Sequence, residues 1–179
     1  MSVGHEVGTG NLALPLPDDA HTWVVVHSRP RCEKKVKESA EHQNILVYLP
    51  LHRRTHHYGA RERTFESPMF PGYVFCWADT EGSRWLGQNR YTARLLPVPD
   101  QNQLVTQLRH LQSALQSGQL MEVLPFLETG RRVRVQAGPL RGLEGQVLRI
   151  KGHTRIVLNV DMIRESVAVE VDSSLLAPV

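Results

Sequence analysis

The sequence predicts an α+β chain: an N-terminal α/β sandwich followed by a small C-terminal β-barrel. Three observations predict it. Up to residue 115, short β-branched runs alternate with helical periodicities. Residues 116–127 carry Gly118 and Pro125 and no sustained period. From Arg131 onward, apolar residues recur at every second position, in short runs about ten residues apart. At 179 residues the chain is long enough for two small domains, and 41% hydrophobic with 22% charged residues is an ordinary globular composition.

Residues 1–20 mix Gly, Ser, Thr and Pro without an apolar period and are expected to form a mobile tail. The N-terminal domain is expected over 21–115. Trp23, Val24, Val25, Val26 and His27 read as a buried strand bounded by the turn at Ser28, Arg29 and Pro30. A helix over about 31–43 follows, with Cys32, Val36 and Ala40 on its apolar face and Asn44 ending it. Ile45–Leu49 is a strand stopped by Pro50. His52–Phe65 reads as a basic hairpin with its tip near Tyr58, Gly59 and Ala60. Tyr73–Trp77 is a further strand, Ser83–Gln88 a short helix and Thr92–Leu96 another strand. Asp100 and Gln103 open a helix whose stripe is Leu104, Val105, Leu108, Leu111 and Leu115, with Gly118 beyond its end. The order is β-α-β-β-β-α-β-α. A linker is expected over 116–127 and the barrel over 128–179, from Val133 and Val135, Val147 and Ile150, Ile156, Leu158 and Val160, and Val167, Val169 and Val171. The alternation over 156–171 predicts that this domain is constitutively β.

Charge is uneven along the chain. Residues 1–28 hold no Lys or Arg and three acids; residues 29–63 hold nine Lys or Arg against four acids, a net of +5. Such a basic patch suits a polyanionic partner. No apolar run approaches the roughly 18–20 residues of a membrane span, and the first twenty residues lack the basic start of a secretory signal. A cytoplasmic protein is expected. Cys32 and Cys76 lie far apart, outside any zinc or redox spacing, and read as packing residues.

Two segments are specific. Val133–Val147 places Gly138, Gly142 and Gly145 between Val-rich runs and resembles a KOW motif, a connection wound so tightly that side chains would obstruct it. Phe70, Pro71, Gly72, Tyr73, Val74 and Phe75 resemble the element that leads into the central strand of NusG-type N-terminal domains. Together the matches span residues 22–179 in the family's order, and the chain is identified by them as resembling the NusG/RfaH family of transcription elongation factors.

The resemblance implies that the N-terminal domain grips the clamp helices of the largest RNA polymerase subunit through an aromatic and apolar patch. Carried over by position, that patch holds Tyr73 and Phe75 with Phe70 before them, and His27 where a relative has Tyr. Ser83, Arg84 and Trp85 resemble the stretch that touches the opposite polymerase pincer, so that the clamp is held closed without a covalent step. Arg29, His42 and Gln43 match positions at which a specialised relative touches the non-template DNA strand, and Lys35 is grouped with them by its charge. Met162 and Ile163 occupy the KOW loop that in the family contacts a small ribosomal protein or the termination factor Rho; the family's usual Phe and Gly are replaced here by Ile163 and Arg164. The resemblance implies no cofactor, no metal, no membrane and a monomer. The departures and the basic patch lean toward an operon-specific antiterminator over a general factor coupled to Rho and the ribosome.

Rival readings are an enzyme and a ribosome-associated RNA-binding protein. Neither Cys sits in a nucleophile setting, and no Walker-type loop occurs. His52, His56 and His57 have the spacing of zinc ligands on a helix but fall in the expected hairpin. A ribosomal KOW protein would not need the Phe70–Tyr73 element upstream.

Overall fold

The computed structural model describes residues 12–58, 61–119, 121–126, 130–150 and 152–179. The chain divides into two compact units, the first ending at Gln101 and the second running Asn102–Val179.

The first unit contains β1 (Thr22–Ser28), α1 (Glu33–Glu41), β2 (Leu46–Tyr48), β3 (Leu51–Tyr58), β4 (Arg61–Pro68), β5 (Tyr73–Ala78), α2 (Thr80–Gln88) and β6 (Thr92–Pro97). Its main sheet is antiparallel in the order β2-β5-β1-β6. Alternation sends Val26, Val47, Val74 and Cys76 to one face, where they pack with Val36, Ala40 and Leu86 from the helices. Trp23, Val25, Tyr48 and Phe75 fill the other face. β3 and β4 pair as a separate two-stranded ribbon; the expected tip residues Gly59 and Ala60 lie outside the described residues.

Three expectations for this unit change. Helix α1 begins at Glu33 because Arg31 takes a left-handed conformation, φ 59°, so Cys32 precedes the helix. Glu33 then joins Val36 and Ala40 on the buried face. Asn44 does end the helix region, at φ 58°, a conformation that Asn tolerates better than most residues. Residues 12–20, expected within a mobile tail, lie against the unit: Leu14 is 4% exposed, the Trp23 indole donates to the Pro15 carbonyl at 2.9 Å, and Asp18 accepts from the His21 and Ala20 amides.

The second unit contains nearly all of α3 (Gln101–Gln116), then β7 (Met121–Pro125), β8 (Arg131–Val135), β9 (Glu144–Ile150), β10 (His153–Val160), β11 (Glu165–Glu170) and β12 (Leu176–Pro178). The strands form one antiparallel sheet in the order β12-β8-β9-β10-β11-β7. The apolar stripe of α3 is buried at Leu104, Val105, Leu108 and Leu111, with Ala114 in place of Leu115 as its last buried member. Strand β7 occupies the stretch expected as a linker. Five residues ending in Pro125 are too short to show a period, and the strand is defined by its pairing with β11, Met121 opposite Val169 through Pro125 opposite Glu165.

The three glycines of the expected KOW motif fall into two kinds. Gly138 and Gly142 adopt φ 80° and 87° in the β8–β9 connection, where the Gly142 amide donates to the Val135 carbonyl at 2.8 Å. Gly145 needs no special φ; it is required by space, since a Cβ there would lie 2.3 Å from the Val157 carbonyl oxygen.

Candidate functional site

The site is built where β1 and β5 end side by side. Their register sets His27 opposite Tyr73, Val25 opposite Phe75 and Trp23 opposite Trp77, so one face carries an aromatic row. Burial is graded along it. Phe75 is 0% exposed and meets the Tyr48 ring at 6.4 Å, whereas Tyr73 and His27 are half-buried with ring centroids 5.3 Å apart. Phe70 is 1% exposed. The surface available to a partner is therefore the His27–Tyr73 pair, with Phe75 and Phe70 supporting it from the core.

The turn before Tyr73 is fastened from two sides. Gly72 adopts φ 88° after Pro71, the residue pattern of a type II turn. Its amide donates to the Glu33 carboxylate at 2.7 Å, and its carbonyl accepts from the Ser28 amide at 2.8 Å. Glu33 is only 7% exposed, so its oxygen replaces water for that part-buried N–H. Removing the acceptor with Glu33→Ala leaves the amide unpaired, at an expected cost of about 1–3 kcal/mol, measurable by urea denaturation.

Beside this pair lies a cation–aromatic cluster. The Arg29 amide donates to the Tyr91 carbonyl at 2.8 Å. The Tyr91 ring has Arg90 4.7 Å and Lys35 5.5 Å from its centroid. Arg29, Lys35 and Arg90 are exposed. The structure thus joins two of the expected nucleic-acid residues, Arg29 and Lys35, from separate elements. It does not join His42 and Gln43 to them. Both are exposed at the far end of α1, about 10 Å along a helix that rises roughly 1.5 Å per residue. Arg90 and Tyr91 were missed from sequence; the signal available was a cation next to an aromatic residue in the short turn between α2 and β6.

Ser83, Arg84 and Trp85 lie on α2, whose first turn is capped by Asp79 accepting from the Gly82 amide at 2.7 Å. Trp85 packs partly against the core while Arg84 is exposed. In the second unit Met162 is half-buried and Ile163 is 7% exposed. The turn that carries them is tied to α3: the Asp161 carboxylate accepts from the Gln103 and Gln107 amides at 2.9 and 2.7 Å. Arg164 adopts φ 53°, a conformation that accounts for glycine as the more comfortable residue there, and its guanidinium lies 4.4 Å from the Phe126 ring centroid.

Burial, assisted by Glu41, pushes the Cys76 thiol well above its usual range, the reverse of what a nucleophile needs. Among the described residues no group of three or more His, Cys, Asp or Glu could hold a metal ion; the side chains of His56 and His57 lie outside them. No helix among the described residues is long and apolar enough to cross a membrane.

The family model described as "Transcription termination factor nusG" matches residues 21–118. A solved structure described as "Domain interaction in Thermotoga maritima NusG" is similar in fold, with TM-score 0.54 and 20% identity over 89% of this chain and 97% of that one. No curated protein matches the sequence.

Proposed function

We propose that this chain, which belongs to the NusG family of transcription factors, binds RNA polymerase during elongation through the His27–Tyr73 end of its first unit. The observation that carries the reading is the pairing of a half-exposed aromatic contact with an adjacent exposed cation cluster on one rigid sheet end. Aromatic residues there offer large contact area at low rotamer cost, and the apolar pair suits the clamp helices of the largest subunit. Arg29, Lys35 and Arg90 then face the non-template DNA strand, attracting phosphates, with the Tyr91 ring as a surface for an unstacked base. Ser83, Arg84 and Trp85 face the opposite pincer. Binding alone holds the clamp closed and no covalent step is involved.

His27→Ala with Tyr73→Ala is expected to reduce co-purification with core polymerase by about tenfold or more, the scale of a lost hot spot, while the circular dichroism spectrum stays unchanged. Wild-type recovery by the folded variant would reject this interface. For the DNA contact, Arg29→Glu with Lys35→Glu should lower crosslinking to the non-template strand in a paused complex; undiminished crosslinking counts against it.

We further read the chain as a specialised antiterminator. Ile163 is buried, Asp161 is engaged by α3, and Arg164 lies over Phe126, so the loop that would recruit Rho or a small ribosomal protein offers little free apolar surface. Added Rho is expected to leave readthrough by this factor unchanged; increased termination would favour the general-factor reading.

A further inference from the structure

Strand β11 has two neighbours of different kinds. On one side β10 pairs with it from Arg155 opposite Glu170 to Val160 opposite Glu165; on the other lies β7, five residues long and at the edge of the sheet. The two strands of this outer pair are unequally buried. Ser166, Val167, Ala168 and Val169 are buried, whereas no residue of β7 is: Met121, Val123 and Leu124 are half-buried, and Glu122 and Pro125 are exposed. Pro125 has no amide to give the ladder, and Gly118, just before the strand, adopts φ 69° in open space. Two cation contacts fasten β7. Glu122 pairs with Arg155, and the Phe126 ring that follows has the Arg164 guanidinium 4.4 Å from its centroid. Among the described residues Arg155 has no other ion pair. Its side chain is only 18% exposed and its Nε has no partner, while Glu170, opposite it in the β10–β11 register, is engaged by His153 at 3.1 Å.

We propose that β7 is a displaceable guard strand, and that the β11 edge beneath it receives an extended segment of a partner protein in its place. A strand edge is a row of amides and carbonyls with which another extended chain can pair. A strand that buries none of its residues fully, ends on proline and is held on one side only opens at lower cost than the interior of the sheet. Removing β7 uncovers the row from Glu165 to Val169 and leaves Arg155 a largely buried cation without its carboxylate, which is costly. The occupant is thereby specified. It is a strand with an acid opposite Ala168, where Glu122 stands, and apolar residues on either side to meet Val167 and Val169 as Val123 and Met121 do. A second copy of this chain fits less well, because its matching segment is tethered beside its own β11 at an effective concentration in the millimolar range. The inference concerns the second unit alone and goes beyond the polymerase interface without depending on it.

The test uses the full chain and a fluorescein-labelled peptide with the sequence of residues 118–127, followed by anisotropy without polymerase. In the wild-type chain the tethered guard competes, and binding is expected to be weak. Met121→Gly, Glu122→Arg and Val123→Gly together remove the apolar contacts of β7 and set a like charge beside Arg155. This released variant should bind the peptide about tenfold or more tighter than wild type, since its edge is open for a larger fraction of the time. A peptide carrying Glu122→Lys should lose about threefold or more, and Arg155→Glu added to the released variant should restore that loss. A scrambled peptide of the same composition should not bind. Should the released variant lose its fold, hydrogen exchange of the unmodified chain carries the test: amides that join β7 to β11 should exchange about tenfold or more faster than those that join β10 to β11. Because no polymerase is present, His27→Ala with Tyr73→Ala should leave peptide binding unchanged, so failure of one interface is distinguishable from failure of the other. Equal protection on the two sides of β11, equal peptide affinity in the wild-type and released chains, equal binding of the scrambled peptide, or a dimer of the released variant that stays closed to the peptide would each overturn the inference.

Discussion

Gly145→Ala is expected to remove most of the stability of the second unit while leaving the first folded. The added Cβ would stand 2.3 Å from the Val157 carbonyl oxygen and 2.8 Å from Ile156 Cγ1. The nearer atom is backbone in a strand paired on both sides, β10 between β9 and β11, so it cannot swing away as a side-chain tip would. Overpacking costs about 1–3 kcal/mol and occasionally more, and a backbone clash of this depth belongs at the upper end. A small unit has little margin against such a loss. Calorimetry of the full chain should show the transition of the second unit shifted down or lost. Gly142→Ala provides the contrast: nothing lies within 4 Å of its added Cβ, and only the strain of φ 87° applies, about 1–2 kcal/mol. Equal stability of the Gly145 variant and wild type would contradict the packing described for β9 and β10.

Phe75→Ala is expected to cost the first unit about 3–5 kcal/mol. The ring is 0% exposed, set opposite Val25 and Tyr48 in neighbouring strands, and its removal leaves a cavity on β5, a strand paired on both sides. Domains of this size hold roughly 5–15 kcal/mol in total, so the urea midpoint of the first unit should fall sharply. Polymerase binding would be lost with it through unfolding and carries no information about contact. Tyr73→Ala should behave in the opposite way, with a small change in midpoint and a large change in binding, because Tyr73 and His27 retain exposed surface. A modest stability change for Phe75→Ala, with binding lost, would mean that Phe75 reaches the partner directly.

This difference between Tyr73 and Phe75 also shows how far sequence alone reaches. Strand alternation correctly sets both on one face, since period two is intrinsic to the extended backbone. It cannot say where along the strand that face is covered, which depends on Tyr48 arriving from β2 and on residues 12–20 lying over Trp23. Element types were readable wherever a pattern was long: β1, β5, the stripe of α3 and the alternation of β10 and β11. Strand β7 was not, because five residues owe their conformation to β11. Helix α1 started later than its periodicity suggested, since Arg31 takes a left-handed conformation, φ 59°, that a side chain with a Cβ rarely adopts and that apolar spacing does not signal. The same limit applies to the candidate site. Arg29 and Lys35 were identified by charge and by resemblance, but Arg90 and Tyr91 join them only when β6 is placed beside β1.

The central claim is that the His27–Tyr73 end of the first sheet is the surface that meets polymerase. It is tested most directly by placing a photo-crosslinking phenylalanine at position 73 and irradiating an assembled elongation complex. The expected product is a crosslink to the clamp helices of the largest subunit, mapped by mass spectrometry and absent when the same residue replaces exposed Arg141. A bound factor that crosslinks from position 73 to some other part of the complex, or to nothing, would contradict the account.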